Sequence, residues 1–319
     1  MKTVLRVIGV LIGLGLLGLG AWLYAPDKSR ADLEPLYLAR PGDMIEVAGT
    51  RLHVRDTGPR EAPAVILIHG FGSSLHTWEP WAAALNDDLR VIRLDLPGSG
   101  LSPPDPTGNY TDDRVIALLL AMMDRLGVQR AAFIGNSVGG RLAWTMAAEQ
   151  PDRVERLVLV SPDGFASPGF EYGKAPDVPF IMQAMRYVLP RGMLKSNIAV
   201  GYADPTALTE PTVTRYRDLM LAPGARQAML DRMEQTVLRD PVPMLGQITA
   251  PVLLVWGEKD GMIPFSNAAD YQRALSDVRL VSFPELGHLP QEEAPMRSLP
   301  PVRDFLLDAP SATGTITNP

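Results

Sequence analysis

Ser137 stands in Gly135-Asn136-Ser137-Val138-Gly139-Gly140, a G-x-S-x-G pattern. A serine hydroxyl is a weak nucleophile at neutral pH and needs an imidazole to take its proton. The imidazole in turn needs a carboxylate to fix its tautomer. The chain has four histidines, His53, His69, His76 and His288, so the choice of base is short. His288, in Leu286-Gly287-His288-Leu289, is the expected base, and Asp260, in Trp256-Gly-Glu-Lys-Asp260-Gly-Met-Ile-Pro264, is the expected acid. Asp163 is the alternative acid, and a plain Asp-Gly turn is the other reading of Asp260. Attack on a carbonyl also needs two N–H donors aimed at the oxygen that gains charge. Val138, next after the serine, and Phe71, in His69-Gly70-Phe71-Gly72, are the expected donors. His69, Gly70 and Gly72 are read as holding that loop rather than reacting. The chain order serine, aspartate, histidine suits a nucleophile raised on a strand-to-helix turn.

Such groups work only when rigid elements hold them. Ala64–Ile68 is a continuous apolar run, as expected of a strand buried on both faces. Similar runs recur at Val91–Leu94, Ala131–Ile134, Leu157–Val160 and Val252–Trp256, with helical patterns at Leu75–Leu85, Asp113–Leu126 and Val138–Ala148. This alternation predicts an α/β fold, with a mostly parallel central sheet and helices on both faces. A hairpin around Gly49-Thr50 joins Met44–Ala48 to Leu52–Asp56 at a sheet edge. A short strand over Val278–Phe283 and a terminal helix from Glu292 to Leu307 complete the pattern. The rhythm breaks between Asp163 and Gln247, which predicts a helical cap (163–247) between two parts of the core, 44–162 and 248–308. Seven of the fourteen methionines fall in that stretch; they are read as gap-filling core, against the alternative that some line an adaptable apolar pocket. Residues 25–43 are expected to be a polar tether and 309–319 a flexible tail.

Composition removes several chemistries. A chain of 319 residues that is 46% apolar and 21% charged can bury a substantial core. It has no cysteine, which excludes thiol catalysis, disulfides and thiolate-bound metal. No metal and no cofactor are expected. The net charge of −6 gives no electrostatic footprint for nucleic acid. Residues 1–24 differ from the rest: Lys2 and Arg6 precede an uncharged run of 18 residues, Val7–Tyr24, before Ala25-Pro26-Asp27. At about 1.5 Å per residue such a helix nearly spans a hydrocarbon core of about 30 Å. The expectation is a membrane anchor with the catalytic domain outside the cytoplasm, on the periplasmic side. The alternative is a cleaved signal that leaves a secreted or periplasmic protein. Gly13-Leu-Gly15-Leu-Leu-Gly18 matches G-x-G-x-x-G, but its uniformly apolar flanks suit membrane-helix glycines better than a dinucleotide site.

Over about residues 44–308 these motifs resemble the α/β-hydrolase superfamily: the His-Gly-Phe-Gly loop, the turn Asp95-Leu-Pro97-Gly98-Ser-Gly100, the elbow at Ser137 and the two late loops. The chain is similar to the capped members, which include carboxylesterases, haloperoxidase-type esterases, meta-cleavage C–C hydrolases, haloalkane dehalogenases and epoxide hydrolases. The last two carry aspartate where Ser137 stands. The Gly-Asn-Ser elbow is similar to that of the C–C hydrolases. Those enzymes, however, usually have a Ser-Gly-Pro-Gly type oxyanion loop and a tryptophan after the catalytic histidine. Here the loop is Phe71-Gly72-Ser73-Ser74, and Leu289 follows His288. The resemblance implies a serine hydrolase acting on esters of apolar small molecules or lipids. C–C hydrolysis is the alternative, and a non-enzymatic binding protein on the same fold is a more distant one. The implied partners are the ester or lipid substrate and, through the N-terminal segment, a membrane. Asp95 and Glu258 are read as turn residues.

Overall fold

Beyond residue 44, the continuous apolar runs become the strands with the least contact with water. In a computed structural model of the chain the described residues are 23–166 and 171–308, with positions 6, 8, 11, 13–15, 18, 20 and 21. The strands are β1 (Met44–Val47), β2 (Thr50–Thr57), β3 (Ala64–Ile68), β4 (Arg90–Leu94), β5 (Ala131–Asn136), β6 (Val154–Val160), β7 (Val252–Gly257) and β8 (Val278–Phe283). They form one sheet in the order β1-β2-β4-β3-β5-β6-β7-β8. The pairs β1–β2 and β2–β4 are antiparallel and all others parallel. Val47 pairs with Thr50, leaving Ala48 and Gly49 at φ 43° and 81°, the two left-handed positions of a type I′ hairpin turn.

The helices are α1 (Arg30–Tyr37), α2 (Glu79–Leu85), α3 (Asp112–Leu126), α4 (Val138–Glu149), α5 (Arg191–Ala199), α6 (Glu210–Met220), α7 (Ala225–Gln235), α8 (Val242–Leu245), α9 (Asn267–Ala274), α10 (Pro290–Glu293) and α11 (Pro295–Leu307). Successive strand side chains point to opposite faces, and β3 shows why both faces had to be apolar. Val65 and Leu67 pack with Trp78, Trp81 and Leu85 and with Leu299, Val302 and Phe305 of α11. Ile66 and Ile68 pack on the other side with residues of α3, α4 and α9. Helices α5 to α8 all lie between β6 and β7, the stretch where the strand rhythm breaks.

Three local departures have physical causes. The terminal helix is two helices, because Ala294 (φ −147°, ψ 66°) precedes Pro295, and a residue before proline is pushed out of the helical region. The stretch from Leu75 opens as a 3-10 turn, Leu75–Trp78, before α2 begins with Pro80 in its first turn. The tether contains α1, which Ser29 caps by accepting the Asp32 N–H. Leu33 of α1 is buried among Leu101, Leu219, Ala222 and Ala225. Ion pairs tie the same segment to α6 and α7: Lys28 to Asp218 at 2.8 Å and Asp27 to Arg226 at 2.6 Å.

The expected membrane anchor needs correction. Among the described residues no helix is long and apolar enough to cross a membrane. The chain joins the globular fold at once: Tyr24 forms a bridge with Val188, and Ala25 donates its N–H to Tyr187 O. The described helices thus supply no bilayer span, and the expected placement of the catalytic domain on the periplasmic side loses the anchor it rested on. Much of the apolar run 7–22 lies outside the described residues, as does the tail 309–319. Gly13, Gly15 and Gly18 occupy helical positions with open space around them, not a strand-to-helix phosphate turn.

Asp218 also accepts a hydrogen bond from Tyr37 OH at 3.0 Å, and burial together with this carboxylate pushes the phenol up to about 12. Asp218→Ala would leave that partly buried hydroxyl unpaired and release Lys28. The expected cost is about 1–3 kcal/mol, read from the urea midpoint. An unchanged midpoint would show that apolar packing alone holds the strap.

Candidate active site

Ser137 sits between the end of β5 and the first residue of α4, with φ 55° and ψ −121°. Few side chains tolerate this conformation, and the glycines around it explain how it is held. A Cβ on Gly135 would lie 2.1 Å from Gly139 O, and one on Gly139 would lie 2.2 Å from Ile68 O. The turn is also pinned by its own backbone: Ser137 N–H donates to Val160 O at 3.1 Å, and Ser137 O accepts the Asp163 N–H at 3.0 Å.

The structure brings Asp260, not Asp163, to His288. His288 Nδ1 lies 2.8 Å from Asp260 Oδ2, and both side chains are buried. The other carboxylate oxygen accepts the N–H groups of Met262 and Ile263, each at 2.8 Å, so the acid cannot rotate freely. Asp163 instead faces Arg141, 3.6 Å away, and its carbonyl accepts from Trp144 and Tyr271. The backbone of His288 is gripped on two sides. Its N–H donates to Gly201 O at 2.8 Å, and its carbonyl accepts from Asn136 Nδ2 at 3.1 Å. Ser137 and His288 line one cavity. Among the described hydrogen bonds none yet joins them, as is common before a substrate is bound.

His69 is fully buried and neutral. Leu96 N–H donates to its Nε2 at 3.0 Å, so the ring proton is on Nδ1 and goes to Gly70 O, 2.7 Å away. Burial lowers its pKa, against the pull of Asp95. Both ring nitrogens are thus engaged, one with Gly70 and the other with the turn that follows Asp95. Within that loop Gly72 takes φ 67°. Among the described residues neither Phe71 N–H nor Val138 N–H has an acceptor. Asp95 holds the neighbouring turn: it accepts the N–H groups of Leu75 and Leu101 and bonds His53 Nδ1 at 2.7 Å. Burial opposes its charge, but the histidines beside it keep the carboxyl well below the usual range.

The cavity encloses about 280 Å³. Met182, Met185, Met220, Met229 and Met262 line it, with Phe71, Leu194, Ile198 and Leu289. Four of these methionines come from the segment between β6 and β7, so the pocket reading applies to them more than the gap-filling one. Its polar side chains are Ser73, Asn136, Ser137, Asn197, Tyr216 and His288, and no Lys, Arg, Asp or Glu is among the described lining. Tyr216 OH lies 3.3 Å from Ser73 Oγ and 3.2 Å from Glu292 Oε1, and burial raises the phenol well above its ordinary value. Among the described residues no three His, Asp or Glu side chains converge as metal ligands would.

Residues 63–295 match the family described as alpha/beta hydrolase fold. The chain belongs to that family. One relative of this hydrolase is the dihydrolipoyllysine-residue acetyltransferase component of the acetoin cleaving system of Pseudomonas putida, 30% identical over 258 residues. The match covers 78% of this chain but only 65% of that longer protein. A second is the 2-hydroxy-6-oxo-6-phenylhexa-2,4-dienoate hydrolase of Comamonas testosteroni, 28% identical over 76% of this chain and 86% of the relative. Among solved structures, the enol-lactonase of Burkholderia xenovorans superposes with a TM-score of 0.72 at 26% identity, covering 83% of this chain and all of the other (100%).

Asn136 and Gly201 are the site residues of this α/β hydrolase that sequence reasoning passed over. Asn136 lies inside the elbow motif, but its partner His288 is 152 positions away and no local spacing reveals the bond. Asn136→Leu keeps the side-chain bulk and removes both donors, to His288 O and to Val160 O. It should cost about 1–3 kcal/mol in stability. It should also speed amide exchange across residues 286–291, measured by mass spectrometry; unchanged exchange there would refute the clamp.

Proposed function

We propose that this hydrolase cleaves neutral carboxylic esters with apolar limbs through an acyl-enzyme on Ser137. In this reading Ser137 Oγ attacks the carbonyl carbon while His288 Nε2 takes its proton, and Asp260 stabilises the resulting imidazolium. The N–H groups of Phe71 and Val138 bind the oxyanion. The C–O bond then breaks, and His288 returns the proton to the departing alkoxide. Water, activated by the same imidazole, adds to the acyl carbon and releases acid and Ser137. The segment 163–247 acts as a cap, since it supplies Met182, Met185, Met220 and Met229 to the cavity wall.

The observation that carries the ester reading is the uncharged wall of that cavity. The substrate named for the Comamonas relative is a dienoate, an anion. Burying a carboxylate without a cationic partner costs several kcal/mol, and the described lining offers none. A lactone, the substrate class named for the Burkholderia neighbour, is an internal ester without that charge. C–C hydrolysis is the second reading, favoured by the Gly-Asn-Ser elbow and by the Comamonas relative at 28% identity.

The test is hydrolysis of p-nitrophenyl esters from acetate to palmitate, beside hydrolysis of 2-hydroxy-6-oxo-6-phenylhexa-2,4-dienoate. Ester turnover should exceed dienoate turnover. Ser137→Ala should lower kcat by a factor on the order of 10⁴ or more. Asp260→Asn should fall nearly as far, while Asp163→Asn keeps most activity. Efficient dienoate cleavage with slow esters would transfer the assignment to C–C hydrolysis. A larger loss in Asp163→Asn than in Asp260→Asn would exchange the acids.

A further inference from the structure

Two small, partly open clefts border the Gly70–Ser73 loop besides the main cavity. One, of about 20 Å³, is bounded by Ser73, Ser99 and Tyr216. The other, of about 10 Å³, is bounded by His69, Leu96 and Val138. Among the described residues only Met229 and Gly72 border both of these and the main cavity as well. Gly72 has no side chain, so Met229 is the one described side chain common to all three, although Ser73, Tyr216 and Met220 also stand between the first space and the main cavity, and Phe71 between the second and the main cavity.

The terminal methyl of Met229 is the nearest neighbour of the glycine: a Cβ on Gly72 would stand 3.5 Å from Met229 Cε. The helix beneath it has no freedom to close in. A Cβ on Gly98 would lie 2.2 Å from Ala228 Cβ, and one on Gly224 would lie 2.8 Å from Pro104 Cγ. Helix α7 is therefore seated backbone-close on the Asp95–Pro104 turn, while methionine, unbranched with three rotatable bonds, can move on that fixed base.

We propose that Met229 is the partition that sets the depth of the substrate cavity and so selects substrate length. With the thioether against Gly72 the cavity ends at the Phe71 loop. Swung aside, it joins the two spaces to the main one and admits a longer limb. Each space has about the volume that holds one water, so the extension suits a few additional carbon atoms rather than a second large group. The selection rests on the ester reading; the partition itself does not require it.

The experiment compares the 319-residue chain with its Met229→Ala and Met229→Phe variants, using kcat/KM for p-nitrophenyl butyrate and laurate. The laurate-to-butyrate ratio should rise about fivefold or more in Met229→Ala and fall in Met229→Phe, on the scale of one or two methylenes in an apolar pocket. The melting temperature of each variant shows that it is folded. A second readout needs no turnover: the melting shift produced by 1-decanol relative to 1-hexanol should increase in Met229→Ala and decrease in Met229→Phe. Unchanged ratios in folded variants overturn the partition. If the wild-type protein turns over no ester while the alcohol shifts change as expected, the ester reading fails and the partition stands. If the alcohol shifts are also unchanged, the partition fails too.

Discussion

The first turn of α4 passes so close to the end of β3 that no side-chain carbon fits between them. Gly139 meets Ile68 O there, and Gly140 meets Pro162 on the other flank, where a Cβ would stand 2.8 Å away. This contact fixes the serine turn and the Phe71 loop relative to each other through backbone, the least deformable part of either. It also explains how Ser137 can be kept at φ 55°, a conformation costing on the order of 1–3 kcal/mol. The two apolar cores on either face of the sheet hold β3, β5 and α4 in place, and the strained turn persists because they do.

The histidine loop is fastened differently. It comes from late in the sequence and is held by hydrogen bonds, from Asn136 of the serine turn on one side and to Gly201 on the other. Glu292 and Glu293, just after it, extend the same grip. Glu292 accepts from Tyr202, Arg215 and Tyr216, and Glu293 accepts from the N–H groups of Asp204 and Gly287. The base of the proposed mechanism is thus placed jointly by the sheet and by the segment above it. The acidic pair is well compensated, since every partner named is a donor.

The parts of the site that follow short-range rules were legible in the sequence. The elbow is a strand-to-helix junction with glycines at the crowded positions, and the Asp260 and His288 loops follow β7 and β8 directly. A hairpin at Gly49 was equally plain, although its two turn residues are Ala48 and Gly49 and Thr50 already belongs to β2. What escaped was non-local. Helix α1 has a capping serine at residue 29, yet its stability comes from Leu33 packing on residues 101 and 219–225, which no periodicity shows. Helix α9 is only eight residues long, too brief to stand out as a pattern. The methionines were visible as a composition bias, but their convergence on one cavity depends on how α5, α6 and α7 are folded over the sheet. The charge and hydropathy of residues 1–24 suggested a bilayer span that the described helices do not supply.

The strap formed by residues 24–37 also orders events in time. Its partners lie far along the chain: Lys28 pairs with a residue 190 positions later and Asp27 with one 199 positions later. A ribosome adding roughly 5–20 residues per second exposes the strap for many seconds before Asp218 and Arg226 emerge. During that interval Leu33 lacks the buried part of its apolar cover, because Leu101, Leu219, Ala222 and Ala225 are still unmade or unplaced. A segment made early is therefore among the last to be fastened, and its docking marks the completion of α6 and α7.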